Sequence, residues 1–181
     1  MMLIWYFDAV FDADQLFRRR RAGRRGAVTR RPRAVAGLRV RPVEAADLDQ
    51  VIALDSEITG IRKTDYWHEL FHRYGAGRSR QRLFLVAEAA GATQGFIIGE
   101  VRDWEFGSPP CGWVFAISVR PSERLAGVGT RLLEAICAGF RRAGVDKVRT
   151  LLARDNALVL SFFRSQGMMA APVIPLEKDL P

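Results

Sequence analysis

The chain predicts an α/β domain of the α+β type, with a mixed, mostly antiparallel central sheet and helices on both faces. Three observations carry this expectation. Strand-like and helix-like segments follow one another in the order β-α-α-β-β-β-α-β-α-β, without internal repeats. Two of the middle strands are separated only by a short Gly-containing turn, the mark of an antiparallel hairpin. A third strand, Gly112 to Val119, is an unbroken apolar run, as in a sheet covered on both faces. A length of 181 residues suits one domain with a sizeable core.

The elements follow in order. Leu38-Arg-Val-Arg-Pro42 alternates apolar and polar residues and reads as a first strand. Leu48, Val51, Ile52 and Leu54 or Asp55 recur at helical spacing, giving a helix over 44–55. Asp65 is the expected cap of a second helix that carries Tyr66, Trp67, Leu70, Phe71 and Tyr74 and ends at Gly75 and Gly77. Arg82 to Glu88 and Gly95 to Val101 make the hairpin, with its turn at Gly91 to Gln94, and Gly107 to Pro110 is a loop. After the apolar strand, Thr130 to Arg142 places Leu132, Leu133, Ile136, Cys137 and Phe140 on one helix face, and Gly144 closes it. Val148 to Ala153 is a strand, Ala157 to Gln166 a helix ended by Gly167, and Val173 to Glu177 a last short strand.

The net charge of +8 would suggest nucleic acid as a partner were it spread over the fold. It is not. Residues 1–40 hold ten arginines against Asp8, Asp12 and Asp14, whereas the remainder has eighteen basic and seventeen acidic residues. The expected organisation is a basic, disordered extension over 1–37, with at most a short helix near 2–17, and one domain over 38–181. The extension's charge order, apolar then basic, reverses that of a secretory signal. Deleting residues 1–36 is expected to leave folding and activity intact. Cys111 and Cys137 are too few for a disulfide framework or zinc site, which suits a cytoplasmic setting. No apolar run reaches the length of a membrane span.

Arg124-Leu-Ala-Gly127-Val-Gly129, between the apolar strand and the amphipathic helix, is the segment richest in chemistry. The first amides of a helix lack intrahelical acceptors and sit at the positive end of its dipole, so a pyrophosphate can rest on them. Glycines let the backbone approach closely, and Arg124 can meet a phosphate oxygen with a fork of donors. Spacing alone is equally compatible with a tight turn and a solvated Arg124.

The surrounding residues narrow the choice. Arg-x-x-Gly-x-Gly after a strand ending Ile117-Ser-Val-Arg-Pro121 resembles the acyl-coenzyme A loop of the GCN5-related N-acetyltransferase (GNAT) superfamily. A second segment, Asp155-Asn156-Ala157 with Phe162-Phe163 and Gly167-Met168, resembles that family's pattern of Asn, small apolar residues, a hydrophobic-Tyr pair and Gly-Phe. The element order is similar too, so the likeness spans 38–180.

The resemblance implies transfer of an acetyl or other acyl group from acetyl-coenzyme A to an amine of a small molecule or protein, by direct attack in a ternary complex. The strand before the loop would splay from its neighbour and pair through Ile117, Ser118 and Val119 with the pantetheine arm, a Val119 amide donating to the thioester carbonyl. Leu125, Ala126, Gly127, Val128, Gly129 and Thr130 would hold the pyrophosphate together with Arg124. Asn156 would contact the pantetheine arm or cap the helix at Ala157, or both. Glu100 and Asp103 are the candidate general bases, acting through water, and Ser118 is a possible proton relay. Phe163 stands where many relatives carry the Tyr that protonates the leaving thiolate; water, Ser161 or Ser165 would replace it, or no acid is needed.

Other readings compete. Phe163 keeps open a non-catalytic acyl-coenzyme A binding module. His68-Glu69-Leu-Phe-His72 matches the zinc-protease signature H-E-x-x-H on a helix. The third ligand of its extended form falls on Arg78, which cannot bind zinc. The expectation is therefore no metal, with His68, Glu69 and His72 facing solvent or the acceptor cleft. Tyr66, Trp67, Trp104 and Phe106 line a pocket or belong to the core. Acceptor identity is open, as is a homodimer.

Overall fold

The computed structural model describes residues 35–77 and 79–180. The expected helix at 2–17, the basic stretch before residue 35 and Arg78 lie outside the described residues. The chain divides into two compact units, one ending at Leu151 and the other beginning at Leu152.

The first unit is built on a five-stranded sheet. Its strands are β1 (Arg39–Pro42), β2 (Arg82–Ala89), β3 (Ala92–Arg102), β4 (Cys111–Val119) and β5 (Val148–Thr150). They lie side by side in chain order, β1 to β4 antiparallel and β5 parallel to β4. The helices are α1 (Leu48–Thr59), α2 (Thr64–Leu70), which continues as a π-helical turn over Phe71–Gly75, and α3 (Val128–Arg142). This is the mixed, mostly antiparallel sheet that the order of elements predicts. No helix among the described residues is long and apolar enough to cross a membrane.

Alternation along β2 and β3 assigns the two faces. Phe84, Val86, Phe96 and Ile98 share one face and form a core with Val51, Ile52 and Leu54 of α1 and with Trp67, Leu70 and Tyr74. The aromatic rings interlock there, Trp67 meeting Phe96 edge-on at 4.9 Å between centroids. Buried Asp55 ties α1 to the start of α2, accepting from Trp67 Nε1 at 2.8 Å and pairing with Lys63 Nζ at 2.7 Å. The opposite face takes α3, whose Leu132, Ile136 and Phe140 are fully buried. Burying each such side chain contributes about 1.5–3 kcal/mol. The helix lies close because glycines floor its seat: a Cβ at Gly112 would come 2.6 Å from Phe140 Cγ.

Local details depart from expectation at several places: the strand expected over Val148 to Ala153 ends at Thr150, and the helix expected over 44–55 spans Leu48–Thr59. The hairpin turn is Ala90–Gly91 and not Gly91 to Gln94; both residues have positive φ, 50° and 74°, which matches the twist of the flanking strands. Gln94 is instead the extra residue of a bulge, since Glu88 faces Thr93 while Ala87 faces Gly95. Lys63, not Asp65, occupies the N-cap of α2, and Asp65 lies in the first turn, where a carboxylate complements the dipole. Finally, Val173 to Glu177 forms no strand, and Ile174 and Leu176 are exposed. Among its described residues the second unit has one regular element, α4 (Ala157–Ser165), and no strand.

Candidate active site

β4 changes partners partway along its length. Its ladder with β5 joins Gly112 to Val148, Trp113 to Arg149 and Val114 to Thr150, and ends there. The strand itself runs on to Val119. On its other side, Ile98 faces Ala116 and Gly99 faces Val114, so Phe115 is the extra residue of a bulge. Beyond this bulge no strand among the described residues pairs with the β5 side of β4.

The direction of the free amides follows from one hydrogen bond. Arg120 N–H donates to Gln94 C=O at 2.8 Å, toward β3. Main-chain groups alternate sides in an extended strand, so Ser118 also points toward β3, whereas Ile117 and Val119 point to the uncovered edge. Of the three residues expected to meet an extended ligand, two therefore offer backbone donors and acceptors to it. Ser118 contributes its side chain to the face shared with Phe96.

The strand leads into the glycine loop. Pro121–Glu123 is a short 3-10 turn, Gly127 has φ +82°, and α3 begins at Val128 with no side chain capping its N-terminus. The first main-chain bond there is Arg131 N–H to Gly127 C=O at 3.1 Å. Helix geometry leaves the amides of Val128, Gly129 and Thr130 without intrahelical acceptors. Arg124 is half-buried; desolvation lowers its pKa from the guanidinium range, and the opposing effect of Glu57 is the smaller of the two. Glu57 also pairs with Arg120 at 3.3 Å, which fastens the loop's entrance to α1. Leu125 and Gly127 are exposed, Ala126 and Thr130 half-buried, Val128 and Gly129 buried.

Of the candidate bases, Glu100 is built in and Asp103 is not. Glu100 Oε2 accepts from the Tyr74 hydroxyl at 2.9 Å and Oε1 from Arg102 Nε at 2.9 Å. Burial first and the Glu100 carboxylate second push the Tyr74 phenol up to about 12. Asp103 lies past the end of β3 and is exposed. Glu100 and Ser118 are not neighbours: Ser118 faces Phe96, four residues from Glu100, about 13 Å along the strand.

In the second unit, Asn156 caps α4, its Oδ1 accepting from Val159 N–H at 3.1 Å. Phe163 is buried and meets Phe162 edge-on, with ring centroids 5.1 Å apart.

His68, Glu69 and His72 of the H-E-x-x-H segment are exposed. Glu69 is paired with Arg73, and the helix widens to π geometry from Phe71, so His72 lies in the π-helical turn while His68 stays in the α-helix. Among the described residues, no group of three or more His, Cys, Asp or Glu gathers to hold a metal ion. Trp67 belongs to the core and Tyr66 packs against it, while Trp104 and Phe106 are exposed on a loop where both have φ near +49°.

Sequence reasoning missed three groups at this site: Tyr74 as the partner of Glu100, the Arg120–Glu57 tie, and the contact of Trp113 with Arg102 and Arg149. None of the three left a trace; the sequence shows only that Glu100 and Arg102, two apart on a strand, share a face.

A bulged strand whose ladder to β5 stops partway runs directly into a helix N-terminus that no side chain caps. The sequence model of the acetyltransferase (GNAT) family matches residues 48–168, and the chain belongs to that family. L-2,4-diaminobutyric acid acetyltransferase of Nocardia farcinica is 33% identical over 79 residues, which are 44% of this chain and 39% of that protein. The chain thus matches well under half of that relative's length. Among solved structures, the aminoglycoside acetyltransferase AAC(6')-Iy in complex with a coenzyme A bisubstrate analogue has TM-score 0.69 at 19% identity, over 80% of this chain and 100% of that one. Aminoglycoside 6'-N-acetyltransferase AAC(6')-Ih of Acinetobacter baumannii has TM-score 0.67 at 17% identity, with the same coverage. At such identities the likeness establishes the fold. Coenzyme A is bound in other crystals of AAC(6')-Iy, and acetyl-coenzyme A is the family's co-substrate.

Proposed function

We propose that the protein is an N-acyltransferase that moves an acetyl group from acetyl-coenzyme A to an amine by direct attack in a ternary complex. The observation that carries this reading is the end of the β4–β5 ladder at Val114 and Thr150, with β4 continuing uncovered to Val119 and into the glycine loop. In this reading residues 38–181 act as one acyltransferase domain behind a basic extension over 1–37.

The pantetheine arm lies along β4 as an added strand, bonded to the main chain of Ile117 and Val119. Its thioester carbonyl takes a β4 amide, where a donor strengthens its hold as negative charge develops on the oxygen. The pyrophosphate rests on the amides of residues 125–130, with Arg124 supplying a fixed charge. Asn156 caps α4 through Oδ1, and its amide nitrogen is left over for a polar ligand. Glu100 receives the amine's proton through water; Tyr74 and Arg102 orient its carboxylate through the bonds they donate to its two oxygens. Asp103 is the second candidate base, and Ser118 is a relay only in a route that does not use Glu100, which lies about 13 Å away along the strand. Phe163 can donate no proton, so the thiolate leaves unassisted or takes one from water, and this forfeits only part of the ~10²–10⁴-fold that an acid supplies.

Release of free thiol from acetyl-coenzyme A over a panel of amines tests the proposal. Amine-dependent release supports it. Cofactor affinity without turnover across the panel would favour instead the regulatory binding module that Phe163 suggests.

A further inference from the structure

Trp113 on β4 and Arg149 on β5 face one another in the parallel ladder, and the guanidinium carbon lies 6.0 Å from the centre of the indole ring. On its other side Trp113 faces Glu100, and Arg102 stacks on the indole at 4.9 Å. Glu100, Trp113 and Arg149 thus form one rung across three strands. Two donors on this rung are shut off from solvent with no acceptor among the described residues, Nε1 of Trp113 and Nε of Arg149. Buried N–H groups in folded proteins almost always have partners, so two adjacent orphans call for an acceptor that arrives from outside.

The charges point the same way. Arg102 is balanced by Glu100 at 2.9 Å and Glu105 at 3.7 Å. No carboxylate among the described residues pairs with Arg149, whose Nη2 donates to Ser108 Oγ at 3.2 Å. Nε and Nη2 occupy the edge of a guanidinium that grips a carboxylate in forked geometry. The Ser108 hydroxyl, accepting from Nη2, keeps its own hydrogen to give. An indole N–H, a guanidinium edge and a hydroxyl make a donor set suited to one carboxylate.

We propose that Trp113, Arg149 and Ser108 bind a carboxylate of the acceptor, so that the acylated amine belongs to an amino-acid-like molecule and not to a polyamine. This rests on the acyltransferase reading. The rung lies one position before the ladder's end, so a carboxylate held there places the rest of a small acceptor beside Glu100 and the bulge at Phe115. A polycation without a carboxylate would leave both orphan donors unsatisfied and meet the unbalanced charge of Arg149.

Matched pairs test the inference: 2,4-diaminobutyrate, ornithine and lysine, each against its decarboxylated diamine, with the full-length protein and acetyl-coenzyme A. At least one carboxylated member is expected to exceed its diamine by roughly 10- to 100-fold in kcat/KM, the worth of a charge-assisted hydrogen bond. Arg149→Lys, which keeps the charge but loses the fork, and Trp113→Phe, which keeps the packing but loses the N–H, should each shrink that ratio by raising KM for the carboxylated member. Calorimetric titration of the same pairs into protein saturated with coenzyme A reads the site without turnover. Turnover with equal or better use of the diamines would overturn the inference and leave the acyltransferase reading standing. Carboxylate-selective binding without turnover would do the reverse. Absence of both binding and turnover for all three amino acids would count against the inference as well.

Discussion

The Tyr74 hydroxyl donates to Glu100 Oε2 across 2.9 Å, joining the π-helical turn after α2 to β3 at the rung that also carries Trp113 and Arg149. If Glu100 is the base, Glu100→Gln should lower kcat by about 10²–10⁴-fold, the usual worth of general base catalysis, with a small change in acetyl-coenzyme A affinity. An equal loss in affinity would reassign Glu100 to structure.

The same pair sets an alkaline limit. The Tyr74 phenol is raised to about 12, by burial first and then by Glu100. A raised pKa means that the folded state holds the proton longer, so this contribution to stability is whole below the ordinary phenol value of about 10 and is lost as pH climbs toward 12. Ultraviolet titration of wild type against Tyr74→Phe should isolate this phenol, and Glu100→Gln should bring its titration partway down. A phenol that titrates near 10 in the wild type would show that the bond does not form.

An acid limit arises at the other end of the sheet. Arg41 Nη1 and Nη2 donate to the two oxygens of Asp47 at 2.6 and 2.8 Å, and Glu44 N–H adds a third bond at 2.8 Å. Burial pushes the Asp47 carboxyl up, but Arg41 and the Glu44 amide outweigh it, and the net shift is downward. The contribution is therefore present above the unfolded value of about 4 and disappears as pH falls through the lower folded value. Denaturant melts should show Asp47→Asn destabilised at pH 7, with the gap to wild type closing below about pH 4. A gap that persists at the lowest pH would refute the electrostatic account.

Two packing changes probe what holds the site in place. Asp55→Ala leaves Lys63 and the Trp67 N–H without their shared acceptor and should cost about 3–5 kcal/mol. Gly112→Ala drives a methyl group into the Phe140 ring and should cost about 1–3 kcal/mol, displacing α3 and weakening cofactor binding with it. Unchanged thermal midpoints for either would contradict the packing described.

Much of the architecture was legible because periodicity records burial directly. Leu132, Ile136 and Phe140 predicted the buried face of α3, and the apolar run of β4 predicted a strand covered on both sides. The glycine loop was legible because few residues tolerate the backbone at Gly127. What escaped was pairing between distant segments. Nothing in the sequence specifies that Trp113 faces Arg149, that Phe115 is bulged, or that Tyr74 reaches Glu100, because register depends on bulges and turns elsewhere. The turn at Ala90–Gly91 was misplaced for the same reason, Ala90 giving no sign of its positive φ. At Val173 to Glu177 alternation suggested a strand, but a strand exists only where another offers its main chain.

Calorimetric titration of acetyl-coenzyme A into the full-length protein, beside the double variant Arg124→Ala, Gly127→Glu, tests the central claim most directly. The account predicts one-site binding by the wild type. It predicts that the variant, still folded by circular dichroism, loses binding, because a carboxylate and a strained backbone replace the phosphate seat. Binding that survives undiminished in the variant, or no binding by folded wild type, would contradict the placement of the cofactor on this loop.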